Sequence, residues 1–455
     1  MRNACLHFGL LLVAAAACDP AAAAGEPAGE QALLRKAAAA VQPNDLKSTI
    51  TTLVSFGTRH TLSETLSQTR GIGAARRWVQ ARFVALGREC GGCLDVVTPS
   101  QVVTGRDIPQ PTEVMDIVAI QRGSSEPNRV VMITGHVDSR VSDGMNFTSD
   151  APGANDDGSG VAAVMEAARV LSKHRFRTTI VYGVLSGEEQ GLYGGKVLAE
   201  YAKAQGWQVQ VDLNNDIVGN SHGQDGVHDN STVRVFSEGT KATETPAQAN
   251  RRRYNGGEVD SPSRNIARYM AALAERTLTN LKVQMVYRTD RYGRGGDQVP
   301  LLEAGFPAVR VTEAHEDYTH QHQDVRLENG VRYGDTIEFV DFDYLAQVTR
   351  LNVVSLAAMA NAPAPPKGVA IEGAVKPSTT LRWQPQPGAA GYRVWWRSTT
   401  EPQWKYSRYV RADAVPANQL TLKNVVIDDW FFGVSSVSAD GYESPVVFPG
   451  DPGAF

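Results

Sequence analysis

The sequence predicts an α/β fold, in which a mixed, mostly parallel central sheet is flanked by helices, followed by a small C-terminal all-β sandwich. Between residues 46 and 361, short apolar runs alternate with helical patterns, which is typical of a sheet whose strands are joined by helices. A Pro-rich stretch at residues 362–368 interrupts this pattern and predicts a linker. Residues 369–449 then contain short runs of alternating polarity separated by turns, a pattern typical of a β-sandwich.

The strands of the first domain are predicted from its apolar runs. Four such runs predict buried strands: residues 129–135, 178–187, 209–216 and 306–313. Residues 161–171 carry apolar side chains three and four positions apart, which predicts a helix with one buried face. A second helix is predicted over residues 263–279. In sheets of this kind, binding sites form beyond the carboxyl ends of the strands.

Composition and the N-terminus limit the possible partners. The chain has 455 residues and a net charge of -4, and it contains no basic stretch that would indicate a nucleic-acid partner. One Arg followed by an apolar run and small residues predicts a signal peptide over residues 1–24, too short for a stable membrane span. We therefore expect a secreted or periplasmic protein whose mature N-terminal segment is 25–45. The alternative is a lipoprotein anchored through Cys18.

The number and spacing of the cysteines indicate whether they bind zinc or form a disulfide. Cleavage after Ala24 leaves Cys90 and Cys93, which are separated by two glycines. No second Cys pair is present to complete a structural zinc site. In an exported protein this spacing favours a small structural disulfide.

Acidic and imidazole side chains follow each predicted strand. They are His136, Asp138, Asp156, Asp157, Glu188, Glu189, Asp216, His315, His320 and His322. Each has an ordinary explanation when taken alone, such as helix capping for the Asp pair or solvation for the Glu pair. These explanations do not account for five groups falling beyond strand ends, where one crevice gathers them. Imidazole and carboxylate together are ligands that suit zinc.

A pair of zinc ions requires particular residue types. The two ions need a shared anionic bridge, which an Asp supplies, and each needs further ligands of its own. One more carboxylate must remain free of metal to take a proton from the attacking water. Glu188 and Glu189 offer both roles because adjacent side chains diverge. Asp138 lies two residues after His136, where it can accept the second ring N–H of that imidazole.

An ordered set of motifs carries a family resemblance. The motifs are "GHVDS", "PGANDDGSG", "SGEEQGL", "NNDIVGN", "DRYGRGGDQ" and "HQHQD". With them the sequence resembles the co-catalytic di-zinc exopeptidases of clan MH, which include secreted bacterial leucyl aminopeptidases and glutamate carboxypeptidase II. The resemblance covers residues 136–324 and implies the zinc exopeptidase fold with two Zn²⁺ ions.

The resemblance also implies roles for individual residues. The implied metal ligands are His136, Asp156, Glu189, Asp216 and His320. Asp156 is the implied bridge and is joined to Asp157 by a cis peptide, Glu188 is the general base, and Asp138 orients His136. The spacing to Asp324 favours His320 over His322 as the last ligand. Family members often carry a Tyr before that His, whereas this chain has Thr319 there, with Tyr318 one position earlier.

The C-terminal segment resembles a fibronectin type III module. Trp383 matches the buried Trp of an early strand, and Trp430 stands where a Tyr is usual. Two roles are open for this β-sandwich. It acts either as a stabilising or spacer domain, or as a module that binds a substrate or a surface such as a cell wall.

The predicted function is that of a secreted zinc-dependent exopeptidase, with an aminopeptidase as the leading hypothesis. Its substrates are peptides or proteins, and Glu188 takes a proton from the attacking water and returns it to the leaving amine. A carboxypeptidase or dipeptidase of the same family is the alternative, for which Arg288, Arg291 and Arg294 offer a cationic pocket. A non-catalytic receptor is the third hypothesis, and the filled ligand positions argue against it.

Overall fold

The structure is a computed structural model that describes residues 32–449. The predicted signal peptide, the Cys18 lipidation site and the last six residues lie outside the described residues. Among residues 32–449, no helix combines the length and apolar character that crossing a bilayer requires. Cys90 and Cys93 form the disulfide that their spacing predicts.

An eight-stranded mixed sheet forms the centre of the first domain. In spatial order its strands are β1 (Asp95–Val97), β4 (Ile117–Gln121), β6 (Thr178–Leu185), β5 (Glu126–His136), β7 (Gln208–Asn215), β10 (Ala308–Glu313), β8 (Thr232–Phe236) and β9 (Lys282–Val286). The four central strands β6, β5, β7 and β10 are parallel. Strands β4 and β8 run antiparallel to their central neighbours. The predicted mixed, mostly parallel sheet is therefore confirmed, and all four predicted strands lie at its centre.

Two short ribbons lie outside this sheet. The first is a hairpin of β2 (Ser100–Gly105) and β3 (Ile108–Met115), and the second pairs β11 (Arg326–Glu328) with β12 (Val331–Tyr333). The hairpin is anchored by a small apolar cluster in which Ile108 and Val114 pack with Val197. This contact holds the tip of the hairpin near the carboxyl edge of the central sheet.

Helices cover both faces of the sheet. They are α1 (Ala32–Ala40), α2 (Pro43–Val54), α3 (Gly71–Glu89), α4 (Gly158–Leu171), α5 (Tyr193–Ala204), α6 (Pro246–Asn255), α7 (Pro262–Thr277), α8 (Gln298–Glu303) and α9 (Phe342–Asn361). Val131 and Ile133 of β5 pack in the larger core with α1–α4, α7 and α9. Val130 and Met132 point to the opposite face, where α5 and α8 pack. The alternation of side chains along one strand thus divides the interior into two layers.

The N-terminal helices begin before the predicted domain boundary at residue 46. Helix α1 contributes Leu34 and Ala37 to the larger core, where α9 also packs. Residue 46 itself lies inside α2. The helical layer of the first domain therefore includes part of the segment 25–45. The division of the chain at 361 and 368 stays a prediction.

The C-terminal region consists of two three-stranded antiparallel sheets. One contains β13 (Lys367–Glu372), β14 (Thr379–Gln384) and β17 (Gln419–Leu422), and the other contains β15 (Gly391–Ser398), β16 (Tyr406–Arg411) and β18 (Trp430–Val437). Trp383 is buried in their shared core, as predicted, and its ring centroid lies 5.3 Å from that of Tyr392. The predicted all-β architecture is confirmed, while the resemblance to a fibronectin type III module stays a prediction.

Candidate metal centre

The carboxyl ends of the central parallel strands gather the predicted site residues. His136 is the last residue of β5, and Asp216 follows β7 directly. Glu188 and Glu189 lie in the turn after β6, and Asp156 lies in the loop between β5 and α4. Because these strands are parallel and adjacent, their ends meet at one edge of the sheet.

Six side chains form two groups that are suited to hold metal ions. The first group is His136, Glu188 and Asp216, and the second is Asp156, Glu189 and His322. Within each group, one potential ligand atom from every residue lies within 4.8 Å of the others. His136 Nε2 lies 3.3 Å from Asp156 Oδ1, so Asp156 of the second group reaches the first. This placement is the one that a bridging carboxylate requires.

The buried polar atoms of the site support a cation there. His136 Nε2, Asp216 Oδ1 and Glu189 Oε1 are buried and form no hydrogen bond of good geometry among residues 32–449, although His136 Nε2 lies 3.3 Å from Asp156 Oδ1 and Glu189 Oε1 lies 3.0 Å from His322 Nε2. A buried polar atom without a partner costs free energy, so native proteins almost always satisfy such atoms. All three are atoms that coordinate zinc. The residues present therefore fit a bound zinc ion.

The electrostatics of the site point the same way. Burial lowers the pKa of His322, but Glu189 and Asp156 outweigh burial and raise this pKa to about 10. The pKa of His136 is also raised well above its usual value, because Asp138 and Asp156 outweigh its burial. Burial raises the pKa of Glu188 well above the ordinary range. The two imidazole pKa values are raised by the carboxylates around them, and these carboxylates favour a divalent cation, which competes with protons for the same ligand atoms.

The structure places His322, and not the predicted His320, in the second group. His322 Nε2 lies 2.9 Å from Asp156 Oδ2 and 3.0 Å from Glu189 Oε1. The His320 ring instead stacks on Phe339, with 3.6 Å between the ring centroids. Spacing along the sequence could not reveal this, because His320 closes a turn on Asp317 and His322 adopts a left-handed conformation at φ 55°. With this turn and this backbone conformation, the later imidazole faces the site.

We expect His322→Ala to lower the zinc content of the purified protein by about one ion per chain. The variant removes an imidazole from the second group, and the remaining two carboxylates make a poorer zinc site. His320→Ala is the matched control and should leave the zinc content unchanged. The measurement is zinc per chain by elemental analysis after dialysis. Equal losses in the two variants would contradict the assignment of His322.

Asp138 holds the turn that carries the two glutamates. Its carboxylate accepts backbone hydrogen bonds from Gly187 (2.8 Å), Glu188 (3.3 Å) and Glu189 (3.0 Å). Burial raises the pKa of Asp138, but His136 and these donors outweigh burial and lower it below the ordinary value. His136 Nδ1 lies 3.0 Å from the Asp138 carbonyl oxygen and 3.5 Å from Oδ1. Asp138 therefore lies beside the imidazole and also positions the next loop.

Asp157 caps helix α4 and ties three segments of the site together. Its Oδ1 accepts hydrogen bonds from the N–H of Gly160 (2.8 Å) and of Ile217 (3.3 Å). Its Oδ2 accepts one from the N–H of His136 at 2.9 Å. The peptide between Asp156 and Asp157 is cis, as the family resemblance implies. One side chain thus fixes the backbone at two predicted ligands and at the helix that follows.

Sequence reasoning missed two supporting residues. Arg310, fully buried on β10, forms an ion pair with Asp216. An Arg inside a run predicted to be a buried strand was a usable signal, because unpaired charges are rarely buried. Asp335 accepts hydrogen bonds from the N–H of Asn155 (2.8 Å) and of Asp156 (2.7 Å). Nothing in the sequence links Asp335 to a loop 180 residues earlier.

A cavity of about 290 Å³ opens over the two groups. Besides Asp156, Glu188, Glu189, Asp216 and His322, its wall contains Asp107, Gln190, Gly191, Leu192, Arg291, Arg294 and Gly295. Asp107 comes from the tip of the hairpin of β2 and β3, whereas Arg291 and Arg294 lie in the loop before α8. Neither Arg288 nor Tyr318 lines this cavity, and the Tyr318 side chain is 56% exposed.

Comparisons with known proteins match the part of the chain that contains the two groups. The model of peptidase family M28 matches residues 116–329, which include both groups. A probable zinc metalloprotease of Leptosphaeria maculans is 46% identical over 414 residues, covering 90% of this chain and 95% of that protein. A probable zinc metalloprotease of Pyrenophora tritici-repentis is 45% identical over 412 residues, covering 89% of this chain and 84% of that protein.

Solved structures share the architecture at much lower identity. LapA aminopeptidase of Legionella pneumophila superposes with a TM-score of 0.52 and 20% identity, over 73% of this chain and 75% of that chain. LapB of the same organism gives a TM-score of 0.53 and 19% identity, over 72% and 75% of the two chains. At these identities the likeness concerns the fold alone.

Proposed function

Because the chain belongs to peptidase family M28 and is a zinc metalloprotease, we propose that it is an aminopeptidase, which removes residues from the N-termini of peptides. The observation that carries the proposal is the size and lining of the cavity over the two metal-binding groups. At about 290 Å³, the cavity lies at the small end of ligand pockets. It suits the residues that flank one scissile bond better than a long segment. Asp107 on its wall offers a carboxylate to the substrate ammonium.

The proposed metal ligands divide between two zinc ions. His136 and Asp216 would hold one ion, Glu189 and His322 would hold the other, and Asp156 would serve both. When bound, zinc lowers the pKa of water and polarises the substrate carbonyl. The proposal of a second ion is supported by the presence of two separate groups of potential ligand atoms.

Glu188 is proposed as the general base. It lies beside His136 and Asp216, yet the other five residues suffice to hold two ions, so its carboxylate is left for proton transfer. It takes a proton from the attacking water and returns that proton to the leaving amine. Asp138 positions this carboxylate through the N–H of Glu188.

A second candidate function is that of a carboxypeptidase or dipeptidase. Arg291 and Arg294 line the same cavity, and guanidinium groups are suited to bind a terminal carboxylate. A secreted location is part of both proposals, because the Cys90–Cys93 disulfide is typical of oxidising compartments.

Acetylation of the substrate N-terminus distinguishes an aminopeptidase from a carboxypeptidase. We expect zinc-loaded protein to cleave Leu-p-nitroanilide and to cleave the N-acetylated substrate at least about 100-fold more slowly, because the site binds a free ammonium. Loss of activity on zinc chelation, and its recovery on adding zinc, serves as the control for a metal-dependent reaction. Cleavage of N-acetyl-Leu-Leu without cleavage of Leu-p-nitroanilide would transfer the assignment to a carboxypeptidase.

A further inference from the structure

We propose that Arg294 binds a carboxylate of the peptide substrate next to the scissile bond, so that the enzyme prefers substrates with an anionic group at that position. The inference rests on the proposed function in one respect, namely that cleavage takes place in the cavity that Arg294 lines. The carboxylate has two possible sources. It belongs either to an acidic side chain or to the C-terminus of a very short peptide.

Arg291 and Arg294 of the cavity wall belong to a cluster of guanidinium groups. Three guanidinium groups surround the single buried carboxylate of Glu316. Its oxygens lie 2.8 Å from Arg234 Nη2, 3.4 Å from Arg291 Nη1 and 3.3 Å from Arg294 Nη1. Arg291 also lies 3.2 Å from Asp290 Oδ1 and 3.9 Å from Asp216 Oδ2, so it has carboxylate partners besides Glu316. Arg294 shares Glu316 with the other two guanidinium groups and is the most exposed of the three, so its charge is the one that a substrate carboxylate can pair with.

The Arg294 guanidinium has hydrogen-bond donors to spare. Among residues 32–449, only its Nη1 forms hydrogen bonds, to Glu316 Oε2 at 3.3 Å and to Gln321 Oε1 at 3.4 Å. Its Nε and Nη2 are left for a ligand, and its side chain is 33% exposed. Arg291 differs, since it is only 9% exposed and its Nε, Nη1 and Nη2 all have acceptors. Arg294 is therefore the residue available to a substrate.

Arg294 is connected to the metal-binding residues through one side chain. Gln321 connects the two, because its Oε1 accepts a hydrogen bond from Arg294 and its Nε2 donates one to Asp156 Oδ2 at 3.3 Å. A single side chain thus separates the guanidinium from the proposed bridging ligand. A substrate carboxylate paired with Arg294 then lies close to the bond that is cleaved. The planar guanidinium pairs with carboxylates through two parallel hydrogen bonds.

The kinetic test compares substrates with and without each carboxylate. Glu-p-nitroanilide against Gln-p-nitroanilide tests an acidic side chain, and Leu-Leu against Leu-Leu-amide tests a terminal carboxylate. Arg294→Gln should lower kcat/KM about 10- to 100-fold for the carboxylate-bearing member of one pair, the range expected for lost hydrogen bonds to a charged group. The partner without that carboxylate should change less than about threefold. The pair that responds identifies the source.

The matched control is Arg288→Gln, which removes an exposed charge from the same loop without touching the cavity. This control should leave all four kcat/KM values unchanged. Arg294→Lys keeps the charge but loses the planar fork, so it should recover part of the preference. If Arg294→Gln lowers kcat/KM equally for all four substrates, or for none of them, the proposal is overturned.

A binding experiment separates this proposal from the proposed function. Calorimetry in a Glu188→Gln background compares the affinity of zinc-loaded protein for Leu-Leu and Leu-Leu-amide, and for Glu-amide and Gln-amide. At least one carboxylate-bearing ligand should bind about 10-fold more tightly than its partner, and Arg294→Gln should abolish that difference. This readout needs no turnover, so failure of the aminopeptidase assay leaves it informative. Equal affinities within both pairs would overturn the proposal for Arg294.

Discussion

Replacing Glu188 with Gln should lower kcat by about 10²- to 10⁴-fold, the usual contribution of a general base, while zinc stays bound. The amide keeps the size of the side chain but cannot take a proton from water. The proposed ligands His136, Asp156, Glu189, Asp216 and His322 are unchanged in this variant. Zinc content and kcat measured on the same preparation therefore separate catalysis from metal binding.

The neighbouring glutamate provides the contrasting variant. Glu189→Gln removes a proposed ligand from the second group, so here zinc is lost together with activity. Glu200→Gln on the exposed face of α5 is the matched control and should change neither quantity. If Glu188→Gln loses zinc as Glu189→Gln does, Glu188 is a ligand. If it keeps full activity, another group serves as base.

The central part of the fold was predictable because its signals are local. Central strands such as β6 are buried along their whole length and mostly apolar, and α4 repeats its apolar residues with the helical period. The positions of site residues directly beyond those strands are fixed by the sheet, because the strand ends lie together at one edge. His136 ends β5 and Asp216 follows β7. Their placement therefore requires only that the ends of these two parallel neighbours lie side by side. Glu188 and Glu189 follow from the same reasoning, since the turn after β6 is short.

The rest depended on contacts that spacing does not encode. His322, rather than His320, lies in the second group because of a local turn and one left-handed residue. An irregular loop has no sequence period from which the turn or the left-handed residue could be predicted. Asp335 supports Asp156 from a loop far along the chain. Helix α1 was assigned to a separate N-terminal segment, yet it buries Leu34 in the main core. Each difference arises where tertiary contacts, rather than local pattern, decide the position of a residue.

The largest effect on stability is expected where the C-terminal sheets meet α7, for Asp260→Ala. Asp260 Oδ1 lies 2.8 Å from Arg268 Nη1 on α7 and 2.8 Å from Arg397 Nη2 on β15. All three side chains are at most 2% exposed. Removing the carboxylate leaves two buried guanidinium groups without a counter-ion, which should lower the free energy of unfolding by about 3–5 kcal/mol.

Denaturant unfolding of purified protein checks this expectation. The control is Asp413→Ala, which breaks an ion pair with Arg411 on the surface of the same C-terminal sheets, where both side chains are more than half exposed. Exposed pairs contribute little to stability, so this variant should unfold at the wild-type denaturant concentration. Equal midpoints for Asp260→Ala and the wild type would show that the buried pairs do not stabilise the junction.

A triple variant tests whether charge, rather than lost packing, causes the effect. In Asp260→Leu combined with Arg268→Met and Arg397→Met, no buried charge is left unpaired, and apolar replacements of buried ion pairs are often well tolerated. The recovery should be partial, because Arg268 also donates hydrogen bonds to the carbonyl oxygens of Pro402 and Val259. A triple variant no more stable than Asp260→Ala would attribute the loss to packing.

The same comparison bears on the role of the C-terminal sheets. Trp404 adds a hydrogen bond from its Nε1 to Asn265 Oδ1 at 3.1 Å, and its ring lies beside both guanidinium groups. Such a junction fixes the sheets to α7 and favours a stabilising domain over a freely tethered module. If Asp260→Ala unfolds in one cooperative transition, the two domains form one unit. If the C-terminal sheets unfold first while peptidase activity persists, they are a separable module, and a binding role becomes the better explanation.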